Sequence, residues 1–454
     1  MSKKLHLSMI NLGCNKNLVD SQLFLWKLLS ENVDNIEYFS DPYDKKVKIV
    51  LLNTCSFISS WREEMFRTVD KLISFNKKVC IIWCGVQYFE KLLRWKNHLD
   101  KETESELTRW ENLLQNKDIS YLSWNDLSMA NLQTITSRST KFNDFCRYSA
   151  PRLLTNYENR YEYLKIAEWC NNSCAFCIIP QIRWKLTSLP IKDVVKDAED
   201  LLKQWIEELI IVAQDTMRYW TDFSWKSQLL PLLHELDKLP YDFKYRILYL
   251  YPDILTLKQL EDFSTLKKFI PYFDIPLQHI SPKLLKSMWR FYDDKMIHTL
   301  LKWIRKLFPE SFIRTNIIIW FPWETDEDME LLKQFLDEDY FDNIALFEYH
   351  DEPLALSSTF DNKVPYDTIH ERFLVIRKQV DMLLAEREKK RKNKKQIWFV
   401  EWIKQDKKDI LLTIRPEINC PEIDPVDDVR LDSVIQCFDW DGIDIWSKVG
   451  YLLK

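Results

Sequence analysis

Residues 163–180 read YLKIAEWCNNSCAFCIIP. The apolar run YLKIA leads into a polar loop that holds Cys170, Cys174 and Cys177 in a C-x3-C-x2-C array. Three thiolates at that spacing can bind three irons of a four-iron, four-sulfur cluster, leaving the fourth iron open to a small molecule. A ferredoxin-type loop would instead close every position with a further cysteine before proline, and a structural zinc knuckle needs a fourth ligand. The next cysteine after Cys177 is Cys420. Downstream, ELIIVA (208–213), YRILYLY (245–251), FDIPLQ (273–278), FIRTNIII (312–319) and NIALFEY (343–349) read as strands. Helical periodicity fills the gaps near 191–204, 227–237, 256–267, 281–307 and 326–337. Six strands, the first five each followed by a helix, predict a parallel barrel, complete or partial, with its chemistry at the carboxyl ends of the strands.

The same alternation precedes the barrel. LHLSMINL (5–12), KIVLLNTC (48–55) and VCIIWC (79–84), with helices over about 19–29, 62–73 and after 84, predict an open parallel α/β domain. Each strand ends in a cysteine or within about two residues of one, at Cys14, Cys55 and Cys84. Strand ends of a parallel sheet share one edge, so three thiols distant in sequence are expected to converge there. Residues 95–150 are polar and weakly periodic, and read as the end of this domain plus a connector. A long helix over 366–395 ends in EREKKRKNKKQ, which reads either as a solvated helix end and linker or as a contact with RNA phosphates. WFVEW, DILLTI, VRLDSVIQCFDW and IWSKVGYLL then predict a small C-terminal β-barrel. The expected domains are 1–150, 151–390 and 391–454.

The chain has 454 residues, 46% hydrophobic and 29% charged, with a net charge of -5. This describes a globular protein rather than a disordered or nucleic-acid-coating one. No apolar stretch approaches a membrane span and the start, MSKKLHLSMINLGC, lacks the apolar region of a signal peptide, so a cytoplasmic location with no membrane partner is expected. Ten cysteines in such a chain read as metal ligands, catalytic thiols or small buried hydrophobes rather than a disulfide framework. Cys80, Cys146, Cys420 and Cys437 have no motif context and are expected to be packing residues. Gln214 and Asp215 follow a strand and face the expected cofactor site, where the alternative is helix capping; His279 is a site residue or a packing residue on the same grounds.

The C-x3-C-x2-C array with Phe176 before its last cysteine resembles the signature of the radical S-adenosylmethionine (SAM) enzymes. Within them the chain resembles the methylthiotransferases over essentially its whole length. NLGCNKNLVDS (11–21), LLNTCSFI (51–58), WCGVQ (83–87), AEWCNNSCAFCIIPQIRWKLTS (167–188), VAQDTMRYW (212–220), YLYP (249–252), DIPLQHIS (274–281) and IIIWFPWET (317–325) carry the resemblance. It implies two 4Fe-4S clusters, one on Cys170, Cys174 and Cys177 and an auxiliary one on Cys14, Cys55 and Cys84. It also implies SAM as cofactor, bound near Phe176, Gln214 and Asp215, and a C-terminal TRAM-like β-barrel that recognises the macromolecular substrate. DIPLQHIS, VAQDT and NLGCNKNLVDS look like the branch that methylthiolates the β-carbon of an aspartate in ribosomal protein S-twelve. The branch that modifies a tRNA adenosine near the anticodon typically shows LPVQSGS, LGQNV and YGCQMN. The implied reaction is hydrogen abstraction by a 5'-deoxyadenosyl radical and coupling to a methylated sulfur, with two SAM consumed and an electron donor such as flavodoxin or ferredoxin. A tRNA methylthiotransferase and a non-catalytic, metal-containing RNA-binding protein are the alternatives.

Glycine is scarce. At about 7% usage the chain would hold about 32 glycines, yet it has Gly 4 and Trp 19. Tryptophan stands where the family pattern has glycine at Trp83, Trp169, Trp184, Trp220, Trp320 and Trp323. One codon written as tryptophan and read in the cell as glycine explains all six, and extends to Trp26, Trp205, Trp398 and Trp402. An indole at such loop positions is expected to strain the backbone, because non-glycine residues resist positive φ.

Overall fold

The computed structural model describes residues 4–96, 99–122, 151–155, 159–183, 185–392, 397–406 and 409–430. Its first sheet is five-stranded and wholly parallel, in the order β2-β1-β3-β4-β5. The strands are β1 (Leu5–Asn11), β2 (Ile36–Tyr38), β3 (Ile49–Thr54), β4 (Lys78–Trp83) and β5 (Ile119–Leu122). Every residue of β3 is buried because helices cover both sheet faces. Alternation along the strand sends Val50 and Leu52 to a core with Met65, Phe66 and Phe89, and Ile49 and Leu51 to another with Phe24, Leu25 and Leu28. The covering helices are α1 (Asn15–Ser30), α2 (Ser59–Ser74), α3 (Cys84–Arg94) and α4 (Lys101–Leu113).

The stretch from residue 95, read as the end of this domain plus a connector, contributes α4 and the edge strand β5, while residues 123–150 lie outside the described residues. The buried positions of α4 are Thr103, Leu107 and Trp110, too few apolar residues for a clear helical stripe, although Asp100 caps the helix by accepting from the Thr103 N–H at 2.8 Å. Strand β5 is four residues long and β2 three, below the length at which alternation is legible. Cys146 lies outside the described residues.

The second sheet has six parallel strands in chain order: β6 (Tyr161–Lys165), β9 (Glu208–Val212), β10 (Lys244–Ile247), β11 (Phe269–Asp274), β12 (Phe312–Ile319) and β13 (Asn343–Glu348). Two short strands, β7 (Ala167–Glu168) and β8 (Thr187–Ser188), pair separately. Around the six run α5 (Ile179–Ile182), α6 (Ile191–Leu202), α7 (Leu229–Asp237), α8 (Leu257–Phe263), α9 (Pro282–Ser287), α10 (Asp294–Leu307) and α11 (Asp326–Asp337). Strands β6 and β13 form the two edges of this sheet, so the barrel is partial. Its outer face packs on α6 to α11. The opposite face is covered by parts of the chain from either side: Leu18, Val19 and Leu23 of α1, and Ile418, Cys420 and Ile423, pack against Tyr161, Tyr163, Ile210 and Tyr272.

Helix α12 (Tyr366–Lys392) leads to an antiparallel sheet of β14 (Trp398–Asp406), β15 (Asp409–Pro416) and β16 (Asp427–Arg430). Cys437 and residues 431–454, where much of the expected C-terminal β-barrel falls, lie outside the described residues. The β15–β16 connection is pinned to the six-stranded sheet, with Arg246 donating to the Ile418 and Glu417 carbonyls at 2.9 and 2.6 Å and Arg415 pairing with Glu208 at 2.7 Å. In the basic end of α12, Arg391 binds Asp342 and the Ser311 carbonyl, and Lys390 binds Asp339. No helix among the described residues is long and apolar enough to cross a membrane.

Thirteen non-glycine residues among those described adopt positive φ, and seven are tryptophan: Trp83, Trp169, Trp205, Trp220, Trp289, Trp320 and Trp323, with φ between 59° and 75°. Each costs about 1–2 kcal/mol relative to glycine. Trp83 is at φ 75°, ψ -142°, close to a region that is essentially glycine's alone. Trp289 occupies the left-handed position of a Schellman turn after α9, closed by bonds from Trp289 N to Lys286 O at 3.1 Å and from Arg290 N to Leu285 O at 2.8 Å. The sequence did not single out Trp289. Trp402 sits at a register shift in β14, a further place that suits glycine, whereas Trp26 is helical and Trp398 opens a strand. Trp184 lies outside the described residues.

Candidate functional site

The sheet order sets β1, β3 and β4 side by side, and the three strand-end cysteines follow from it. Cys14 caps the start of α1, Cys55 follows β3 directly and Cys84 opens α3. Gly13 is needed for the chain to turn here, since a Cβ would meet Asn17 Cβ and Asn53 Oδ1 at 2.7 Å. Asn17 reaches across, donating from Nδ2 to Cys84 Sγ at 3.5 Å and to the Thr54 carbonyl at 3.2 Å. Burial opposes a charged Cys14, but the Lys16 and Arg183 charges and the Asn17 and Lys16 backbone N–H groups outweigh it and hold the thiol below its ordinary pKa. Cys55 is pushed up, by burial first and then by Cys84 and Cys14.

The second set lies in the loop after β7. The Asn172 backbone N–H donates to Cys170 Sγ at 3.3 Å, Cys177 N to the Cys174 carbonyl at 3.0 Å and Ala175 N to the Met288 carbonyl at 3.1 Å. Arg290, buried, donates from Nη1 to Cys174 Sγ at 3.4 Å and from Nε to Tyr292 Oη at 2.7 Å. Burial, with the Asp215 charge second, pushes the Cys170 thiol up to about 12. Cys177 is also raised, by burial and then by Cys174. A bound metal reverses this balance, because a coordinating thiol gives up its proton. Among the described residues no three Cys, His, Asp or Glu side chains could hold a single metal ion. A four-iron cluster asks for something wider, since each thiolate binds a different iron.

The segment that follows the loop joins the two sets. Ile178 and Ile182 are buried in the core of the first sheet, with α5 against α3. Arg183, the next residue, donates to Cys84 Sγ from Nη2 at 3.2 Å and from Nε at 3.4 Å, and pairs through Nη1 with Glu168 at 3.3 Å. Glu168 and Asp20 share Lys165, which ties α1 to β6. A second anchor lies beyond β13, where Glu352 accepts from Arg62 at 2.7 Å and from the Ser59 N–H at 2.9 Å.

Of the other expected site residues, Phe176 packs with Ala175, Met288, Phe321 and Tyr349 and shields the cysteine loop. Asp215 accepts from Asn172 Nδ2 at 2.7 Å and from Met217 N at 3.1 Å, and pairs with Arg218 at 3.2 Å. It therefore braces the loop, and burial raises its carboxyl to about 6 against the pull of Asn172 and Arg218. Gln214 Oε1 and, on β12, Asn316 Oδ1 are buried acceptors with no hydrogen-bond partner among the described residues. Asn316 lies on the strand face opposite the helices, by alternation with Ile317, and Gln214 follows the end of β9. His279 is fully buried, accepts from the Ser281 N–H at 2.9 Å and lies 3.7 Å from Glu324. Cys80 and Cys420 are buried in apolar clusters. Sequence reasoning missed Lys16, Asn17, Arg183 and Arg290. Lys16, Asn17 and Arg183 had a signal, their places within the quoted runs 11–21 and 167–188, and Arg290 had none.

Residues 164–336 match the Radical SAM superfamily and residues 6–101 match Uncharacterized protein family UPF0004. The chain is 32% identical over 442 residues to the ribosomal protein uS12 methylthiotransferase RimO of a Nitratiruptor species, covering 96% of this chain and 94% of that protein. It is 32% identical over 464 residues to the protein of the same name from Chlamydia pneumoniae, covering 99% and 92%. Among solved structures, a radical SAM methyltransferase, TsrM, from Kitasatospora setae, with tryptophan substrate and a SAM analogue bound, shares the fold with a TM-score of 0.50 at 11% identity, over 76% of this chain and 73% of that one. With such relatives along nearly its full length, and two cysteine sets linked through Arg183, the chain belongs to the RimO-type radical SAM methylthiotransferase family.

Proposed function

We propose that the chain transfers a methylthio group to the β-carbon of an aspartate in ribosomal protein uS12, using two 4Fe-4S clusters and SAM. Cys170, Cys174 and Cys177 hold one cluster and Cys14, Cys55 and Cys84 the other, in domains 151–390 and 1–150; residues 391–454 form the TRAM-like unit. The residues present suit these groups. Each set combines three thiols with one buried arginine, which offsets the thiolate charge that burial would otherwise forbid. The orphaned Gln214 Oε1 and Asn316 Oδ1 suit the amino and hydroxyl donors of SAM, with Asp215 bracing the loop beside them. When bound, the open iron and SAM supply a carbon-centred oxidant, and the auxiliary cluster supplies the sulfur.

The chain's own work is placement and exclusion of water. Phe176, Phe321 and Tyr349 cover one side of the cysteine loop, and Arg290 fixes Cys174 from behind. The observation that supports the reading most is the Arg183 bridge: one side chain of the segment following Cys177 donates to Cys84 of the other set. An electron donor such as flavodoxin or ferredoxin is required, and we assign RNA contact to the basic run and C-terminal unit. We further read the seven positive-φ tryptophans as glycines in the native protein.

The reading is tested by mass analysis of uS12 and of tRNA from cells with and without the gene. Loss of one CH2S increment from uS12 is expected; loss confined to tRNA overturns the proposal. Anaerobic reconstitution should give two clusters and SAM-dependent 5'-deoxyadenosine.

A further inference from the structure

Most buried cations among the described residues come with carboxylates, although Lys77 is held by the Asp44 and Val47 carbonyls and Arg290 by Cys174 and Tyr292. Lys165 meets Asp20 and Glu168, Arg62 meets Glu352 and Glu106, Arg314 meets Asp274, and Arg246 meets Glu208. Lys16 does not follow that pattern. It is 7% exposed, and its ammonium lies 3.7 Å from the centre of the Tyr249 ring. Among the described residues it forms no ion pair with a carboxylate, and the ionisable groups that act on it most are Tyr249, Cys14 and Arg183. A buried ammonium facing the Tyr249 ring, the Cys14 thiol and a second cation is incompletely balanced, and a ligand carboxylate would complete the balance.

Position says which ligand. Lys16 lies in the first turn of α1, two residues after Cys14. Tyr249, just past the end of β10, is held at the barrel mouth, its N–H donating to Asp274 at 3.0 Å and its carbonyl accepting from the Thr216 N–H at 3.2 Å. Thr216 adjoins Asp215, which braces the radical-site loop through Asn172. Lys16 thus stands between the auxiliary cysteines and the barrel mouth. Beside it, Asn15 donates from Nδ2 to Tyr249 Oη at 3.4 Å, while its Oδ1 is buried without a hydrogen-bond partner among the described residues. A cation lacking a carboxylate and an acceptor lacking a donor suit a carboxylate side chain next to a backbone N–H, as a peptide aspartate offers.

We propose that Lys16 and Asn15 form the subsite for the target aspartate, Lys16 pairing with its carboxylate and Asn15 Oδ1 accepting a backbone N–H of the target segment. The inference rests on the function proposed above. Holding the carboxylate fixes the adjacent β-carbon between the two cysteine sets, so Lys16 is a specificity residue for the reaction.

The test uses the reconstituted full chain with uS12 carrying either the target aspartate or asparagine in its place, reading both KM and the equilibrium affinity for the uS12 protein. Against the native enzyme the asparagine target should bind on the order of 30-fold more weakly or worse, as expected for removing one partner of a buried charge pair. Lys16→Met should weaken binding of the aspartate target to a similar degree and treat the two targets alike, with Lys16→Arg restoring part of the preference. Iron content and melting temperature report whether each variant is folded. Unequal treatment surviving in K16M at its native ratio overturns the proposal, as does an equal affinity of the native enzyme for both targets, which needs no variant at all. If Lys16 served only Cys14, K16M would weaken both targets equally and keep their ratio. Modification of tRNA with uS12 left untouched would sink the proposed function and the subsite together, whereas uS12 modified without aspartate preference sinks the subsite alone.

Discussion

The barrel mouth and the edge of the first sheet hold cysteine triads of opposite construction. Cys170, Cys174 and Cys177 sit in one loop, fastened by backbone bonds within it and to Met288 and by Arg290. Cys14, Cys55 and Cys84 hang from three separate strands, and their relation depends on the β1-β3-β4 order, on Asn17 and on an arginine from the segment after the loop triad. The loop triad depends on local contacts, whereas the edge triad depends on the fit between two sheets. Damage to that fit should therefore fall unequally on the two.

The sharpest test separates the triads by deletion. Cys174→Ala should abolish SAM cleavage, while Cys84→Ala should keep it and lose methylthio transfer, each variant retaining about half the iron of the native protein by metal analysis. Loss of both activities in C84A would break the distinction. Next in size, Arg183→Met leaves Glu168 short of a buried partner and should cost about 3 kcal/mol or more of stability. Its iron loss should begin at the edge triad, whereas Arg290→Met should spare that triad; cluster spectra during thermal unfolding distinguish the two.

A smaller effect should leave both triads alone. Asp342, before β13, is held by Arg391, Arg305 and Arg387, whose charges outweigh burial and bring its carboxyl down to about 2. A carboxylate depressed in the folded state stabilises fully above its unfolded pKa, about 3.9, and loses that contribution as pH falls towards 2. Denaturant titrations from pH 5 to 2 should show about 2 kcal/mol disappearing, and the same titration of Asp342→Asn should lack that component. The smallest change concerns Trp205, exposed and at φ 68°. Trp205→Gly should stabilise by about 1 kcal/mol, in contrast to Trp225→Gly, fully exposed and outside the positive-φ set. Peptide mass mapping of cell-derived protein should read glycine at 83 and 169, the positions preceding Cys84 and Cys170; indole masses there would refute the codon reading.

What the amino-acid sequence determined by itself was whatever is written in neighbouring residues. FIRTNIII is a strand and residues 326–337 a helix, where the apolar run and the helical periodicity put them. The C-x3-C-x2-C loop announced itself because its ligands span eight residues. The strand-end position of the other three cysteines was also visible, since a parallel sheet lines up its carboxyl ends. Tertiary structure alone decided what crosses between sheets. It brought Arg183 to Cys84, placed the Cys420 loop against the barrel strands, and left Lys16 facing no carboxylate among the described residues. Such contacts join residues about a hundred or more positions apart, or consist of a missing partner, and neither periodicity nor spacing carries a record of them. Charge pairing depends on distance in space, and that distance is set only when both sheets have packed.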